Sequence, residues 1–160
     1  MSAERDTIFL VCSGNTCRSP MAAALLRSAL AHEGGRLATL KVESRGLAAY
    51  KGDPASPHAV RALRPLNLSL AEHASRPLTA DDVARALAIF VMGNGHLNTL
   101  FAQFDNLPEA VELLRGRMPE GQDREIADPF GSNLAAYEDC RDSMIEALPK
   151  VVAMLRERFV

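Results

Sequence analysis

The amino-acid sequence predicts an α/β fold: a doubly wound, four-stranded, mainly parallel sheet with helices on both faces. Two observations carry this. Short apolar runs alternate with stretches of helical spacing, in the order strand, helix, strand, helix, helix, strand, helix, strand, helix. One run, Leu87-Ala88-Ile89-Phe90-Val91-Met92, is apolar throughout, as a strand covered on both faces must be.

The first strand is Thr7 to Val11, and the first helix follows from about Ser19 to His32, with Leu25, Leu26 and Leu30 as its buried stripe. Gly34-Gly35 ends it. A second strand fits Ala38 to Ser44, where Leu40, Val42 and Ser44 alternate with Lys41 and Glu43. Ser56-Pro57 opens a second helix, which Pro65 and Asn67 close. Thr79-Ala80-Asp81-Asp82 caps a short third helix ahead of the apolar strand. A helix over about Leu97–Phe104 and an edge strand over Ala110–Leu114 come next. The last helix spans about Asn133 to Arg158, with Leu134, Tyr137, Met144, Ile145, Leu148, Val152 and Leu155 at core spacing. Pro149 is expected to kink or break it.

At 160 residues, one domain over 1–160 is the expectation. Apolar residues make up 48% and charged residues 24%, with a net charge of −2, so nothing points to nucleic acid. Met1 to Asp6 is polar, and no apolar run is long enough to span a membrane. Three cysteines make no secreted disulfide framework, which suits a reducing cytoplasm. No metal and no cofactor are called for.

The chemistry concentrates between the first strand and the first helix, in Cys12-Ser13-Gly14-Asn15-Thr16-Cys17-Arg18-Ser19-Pro20. Gly14 and Asn15 tolerate positive φ, and Pro20 suits a first helical turn. A loop curling into a helix start aims several backbone N–H groups at one spot and makes an anion site. The same field favours the thiolate of Cys12, the nucleophilic form. Arg18 follows six residues later, and its planar fork matches two oxygens of a tetrahedral oxyanion. A thiolate in a phosphate-shaped cradle implies phosphoryl transfer through a cysteinyl-phosphate. No Gly-Lys-Ser/Thr follows the glycine, which excludes a Walker loop.

Cys-Ser-Gly-Asn-Thr-Cys-Arg-Ser-Pro-Met-Ala resembles the signature of the low-molecular-weight protein tyrosine phosphatases. The resemblance covers nearly the whole chain and implies strand order 2-1-3-4, Cys12 as nucleophile and Arg18 as oxyanion binder. Glu72-His73-Ala74-Ser75-Arg76-Pro77-Leu78 resembles a second family segment. By that match His73 and Ser44 support Asn15, and Ser19 belongs to the same supporting group. The family's general acid lies in a late Asp-Pro, which gives that role to Asp128. Asp123 and Glu125 are rivals, but neither precedes a proline. Ser13, Gly14, Asn15, Thr16, Cys17 and Phe130 complete the expected substrate and phosphate site. Phosphate or sulfate would occupy the loop, and phosphorylated proteins would be the partners.

One family feature is missing. The family often has an aspartate just after the methionine that ends the third strand; here Gly93-Asn94-Gly95-His96 stands there. His96 lies where ligands collect in open sheets, yet nothing in the sequence assigns it a role. Thr16 stands where tyrosine-directed members usually carry a bulkier aliphatic residue. With Asp-Pro-Phe-Gly and Ser-Pro-His-Ala, it is similar to the bacterial branch acting on phosphoarginine. The expected function is a protein phosphatase leaning to phosphoarginine, with phosphotyrosine as the alternative. Arsenate reductases share the architecture but need a further pair of relay cysteines, and a silent phosphate-binding module would not need Cys12, Arg18 and Asp128 together. Cys17, five residues from Cys12, is either a protective disulfide partner under peroxide or a packed thiol. Tyr50 either lines the entrance of the site or, as is commoner for an exposed loop tyrosine, has no special part, and Tyr137 and Cys140 belong to the core.

Overall fold

The structure, a computed structural model, describes residues 4–160. The first three residues of the polar N-terminal stretch therefore lie outside the described residues. Strand β1 (Thr7–Cys12) is buried along its whole length, as its β-branched and aliphatic composition requires. It pairs with β2 (Lys41–Gly46) on one side and β3 (Ala86–Val91) on the other, and β4 (Ala110–Leu113) pairs with β3. The order is β2-β1-β3-β4, as expected, and every pairing is parallel.

Parallel strands need crossovers, and these supply the helices. Side chains of a strand alternate between faces. Ile8, Leu10 and Cys12 accordingly join a core with α1 (Arg18–Glu33), α2 (Pro57–Leu63) and α5 (Leu134–Phe159). Phe9 and Val11 join the opposite core, with α3 (Ala80–Arg85) and α4 (Asn94–Gln103). Among the described residues, no helix is long and apolar enough to cross a membrane.

Several elements differ from expectation. β2 begins at Lys41, because Leu37–Thr39 winds into a 3-10 turn, and it runs on to Gly46. α4 begins three residues earlier than its apolar spacing suggests, because His96 caps it from inside: the Gly93 N–H donates to His96 Nδ1 at 3.1 Å. Pro149 does not break α5, which is continuous from Leu134 to Phe159 with the proline on its exposed side. Ile145, expected in the core, is 37% exposed.

The end of β2 fastens the loop that joins β1 to α1. Leu47 N–H donates to the Cys12 carbonyl and Ala48 N–H to the Ser13 carbonyl, both at 2.9 Å. Such close approach requires glycine at position 46: a Cβ there would lie 2.5 Å from the Ser13 carbonyl oxygen and 3.0 Å from Asn15 Cβ. Beside it Arg45, though charged, is buried, with Nε 3.0 Å from Asp82 Oδ2. Asp82 also closes the cap of α3, exchanging hydrogen bonds with Thr79 at 3.1 Å. Burial works against the Asp82 carboxylate, but Arg45 and Thr79 outweigh it and hold the group below its usual range.

Gly46→Ala should destabilise the protein by about 1–3 kcal/mol, the usual cost of overpacking. Calorimetry should read this as a melting temperature lowered by several degrees. An unchanged value would mean that the loop yields freely.

Candidate active site

The loop between β1 and α1 turns on Asn15, which is wholly buried with φ of 59°. An L-residue holds this left-handed conformation at a cost of about 1–2 kcal/mol, and asparagine tolerates it best. Every polar group of Asn15 is engaged. Its Nδ2 donates to Ser19 Oγ at 2.8 Å and to Ser44 Oγ at 3.0 Å. Its Oδ1 accepts the Arg76 N–H at 2.9 Å, and its carbonyl accepts from His73 Nε2 at 2.7 Å. Ser44 and His73 thus stand where the sequence put them. The Arg76 backbone contact is new, because a backbone donor leaves no signal in residue identity.

Asn15 N–H in turn donates to Cys12 Sγ at 3.3 Å. Ser19 Oγ lies 2.9 Å from that sulfur and 3.3 Å from the Arg45 carbonyl. A hydroxyl has one proton to give. It can give it to the carbonyl when Cys12 is a thiol, or to sulfur when Cys12 is a thiolate. Arg18, the first residue of α1, is buried and anchored by Nη1 to the Ile126 carbonyl at 3.0 Å. Ile126 N–H is itself tied to the Met92 carbonyl at the end of β3, 2.8 Å away. The other terminal nitrogen of Arg18, Nη2, lies 3.6 Å from Asp128 Oδ2.

A cavity of about 240 Å³ opens over the loop. Cys12, Ser13, Gly14, Asn15, Thr16, Cys17 and Arg18 line it, with Asp128 and Phe130. Cys12 sits at its base, only 3% exposed, while Phe130 is 73% exposed at its mouth. Asp128 is a half-exposed carboxylate whose Oδ1 accepts the Phe130 N–H at 3.1 Å. Its rivals point elsewhere: Glu125 accepts the Asn94 N–H at 2.7 Å, and Asp123 accepts the Glu125 N–H at 3.0 Å. Glu125 also explains the missing aspartate, because its Oε1 lies 3.1 Å from where a Cβ at Gly93 would be. An acidic group is supplied there from another segment.

Tyr50 is 82% exposed and does not line the cavity. Cys17 is buried, and its sulfur lies 3.2 Å from the Tyr137 hydroxyl and 3.4 Å from Ser56 Oγ. Burial and this thiol push the Tyr137 phenol up. Cys140, one turn further along α5, is pushed up to about 12 by burial. The residue that sequence reasoning passed over is His96, whose Nε2 lies 3.0 Å from Ser13 Oγ. Its only sequence signal was its place just beyond the C-terminal end of β3.

A thiol sulfur, a buried guanidinium and a carboxylate meet around one cavity on a doubly wound sheet, a set of groups suited to phosphoryl transfer. The chain matches the model of the family "Low molecular weight phosphotyrosine protein phosphatase" over residues 7–159 and belongs to that family; it is a protein phosphatase. It is 36% identical over 152 residues to a protein-arginine-phosphatase of Bacillus subtilis, covering 95% of this chain and 97% of that one. It is 37% identical over 133 residues to the probable low-molecular-weight protein-tyrosine-phosphatase EpsP of Ralstonia solanacearum, covering 83% and 84%. Among solved structures it resembles a mutant of the arginine phosphatase YwlE with a phosphorylated active-site serine, at a TM-score of 0.86 and 33% identity, covering 96% of this chain and 97% of that one.

Both histidines at the site are held below their ordinary value of 6.5. For His73 the cause is burial, against which its bond to Asn15 works. For His96 it is burial and then the Arg18 charge, opposed by Asp128 and Glu125. The unfolded chain therefore binds more protons than the native one just below pH 6.5, and native stability rises with pH there. Thermal melts should show stability falling as pH drops through 6.5 toward the lowered native values. His73→Gln should flatten that slope; an identical slope would assign the pH dependence elsewhere.

Proposed function

We propose that the protein removes phosphate from phosphorylated proteins through a cysteinyl-phosphate on Cys12, with phosphoarginine as its preferred substrate. The observation carrying this reading is the convergence of Cys12, Arg18 and Asp128 on one cavity. Cys12 attacks phosphorus as the thiolate, opposite the leaving atom. Arg18 and loop N–H groups other than that of Asn15, which is given to Cys12 Sγ, hold the three equatorial oxygens, where charge is shared in the transition state. The carboxylic acid of Asp128 gives its proton to the leaving atom, and as a carboxylate it then takes one from the water that splits the S–P bond. Ser19 turns its hydroxyl to the sulfur when the thiolate departs, in keeping with its distance of 2.9 Å. Inorganic phosphate, the product, and sulfate would occupy the same loop.

The preference for phosphoarginine is supported by Thr16, a hydroxyl in the cavity wall suited to a polar, planar guanidinium. The name of the Bacillus subtilis relative agrees with it. Phosphotyrosine is the second reading, favoured by the exposed ring of Phe130 at the cavity mouth and by the name of the Ralstonia relative. The free thiols of Cys12, Cys17 and Cys140 fit a reducing, cytoplasmic setting and a chain acting as a single domain.

Steady-state kinetics on matched phosphoarginine and phosphotyrosine peptides test the reading. The first should have the higher kcat/KM, and Thr16→Ile should shift the ratio toward the second. Cys12→Ser should abolish turnover yet still bind phosphate. Arg18→Lys should lose most activity, since the fork is gone. Asp128→Ala should cost about 10²–10⁴-fold in kcat; wild-type rates in that variant would remove Asp128 from the chemistry.

A further inference from the structure

His96 has no part in the reaction as described, yet its geometry is fully specified. Its Nδ1 accepts the Gly93 N–H at 3.1 Å. A ring nitrogen that accepts such a bond carries no proton, so the proton of the neutral imidazole is on Nε2. Nε2–H then donates to Ser13 Oγ at 3.0 Å. Ser13 stands on the partition between two cavities, the one over Cys12 and a neighbour of about 370 Å³ containing Leu47, Thr99 and His96. A serine oxygen has two lone pairs and one hydrogen. With one lone pair taken by His96, the second remains for a donor in the catalytic cavity, and the hydroxyl hydrogen remains for a phosphoryl oxygen.

We propose that His96 is a positioning residue for substrate choice: by donating to Ser13 it fixes the orientation of that hydroxyl, so that its hydrogen faces a phosphoryl oxygen and its remaining lone pair accepts an N–H of the leaving group. A phosphorylated guanidinium has such N–H groups beside the scissile bond, and a phosphorylated phenol has none. The proposal deepens the phosphoarginine reading and rests on it for the identity of the donor. It adds a second polar group to the cavity lining besides Thr16. Specificity built on a hydrogen-bonding wall rejects analogues that lack the donor, because the wall is left unpaired.

The test is the ratio of kcat/KM on a phosphoarginine peptide to that on a phosphotyrosine peptide of the same flanking sequence. His96→Asn keeps an acceptor near Gly93 but cannot reach Ser13, and it should lower the ratio about fivefold, the size of one modest hydrogen bond. His96→Gln, whose amide extends toward the place of Nε2, should restore part of it. Ser13→Ala, at an exposed position, should lower the ratio by the same factor, and adding His96→Asn to it should lower it no further. A ratio that stays within twofold of wild type in either single variant, or losses that multiply in the double variant, would overturn the proposal. Should His96→Asn fail to fold, Ser13→Ala alone decides. A wild-type preference for the phosphotyrosine peptide would refute the substrate reading, while a ratio that still falls in the variants would support the role of His96.

Discussion

The site depends on one constrained residue. Asn15 must hold a left-handed backbone in a wholly buried position, or the N–H groups on either side of it would not face the same point. Left alone, that conformation is unfavourable. It persists because four groups from three segments meet it: Ser19 on α1, Ser44 on β2, and His73 and the Arg76 N–H from the crossover before α3. Strain that surrounding structure over-determines is a feature of functional loops. Here the surroundings do so with ordinary hydrogen bonds, each modest, on a residue that is itself wholly buried.

The same constraint explains Gly46. With no Cβ, it lets the end of β2 come within backbone hydrogen-bond distance of Cys12 and Ser13. β2 is an edge strand of the sheet, but its last residues have no freedom to vary in size. The buried Arg45–Asp82 pair next to it ties that edge to α3. A buried pair of this kind is weak support for stability by itself.

Arg18 joins the loop to the far side of the cavity. Through the Ile126 carbonyl it is fastened to the segment that delivers Asp128, and that segment is itself fastened to the end of β3. Carboxylate, guanidinium and sulfur thus share one frame rather than meeting as separate mobile parts. His96 and Glu125 belong to the same frame from the α4 side, Glu125 by capping the helix and His96 by reaching Ser13. The absent aspartate at position 93 is compensated in space by a residue 32 positions later in the chain.

The chain's local chemistry was legible without coordinates. Short apolar runs set the strands, Gly34 and Thr79 marked helix ends, and the order of Cys12, Asn15, Arg18 and Ser19 described a cradle, because backbone preference and short spacing are properties of neighbours in sequence. Ile145 was misjudged, since periodicity cannot tell which helical positions the neighbours leave uncovered, and so was the start of β2, since alternation cannot tell an extended segment from a 3-10 turn leading into it. What only the tertiary structure decided were pairings between distant segments: Arg76 with Asn15, Glu125 with the place of a missing aspartate, His96 with Ser13. Such contacts depend on where separate crossovers bring the chain back, and residue identity along one segment holds no record of that.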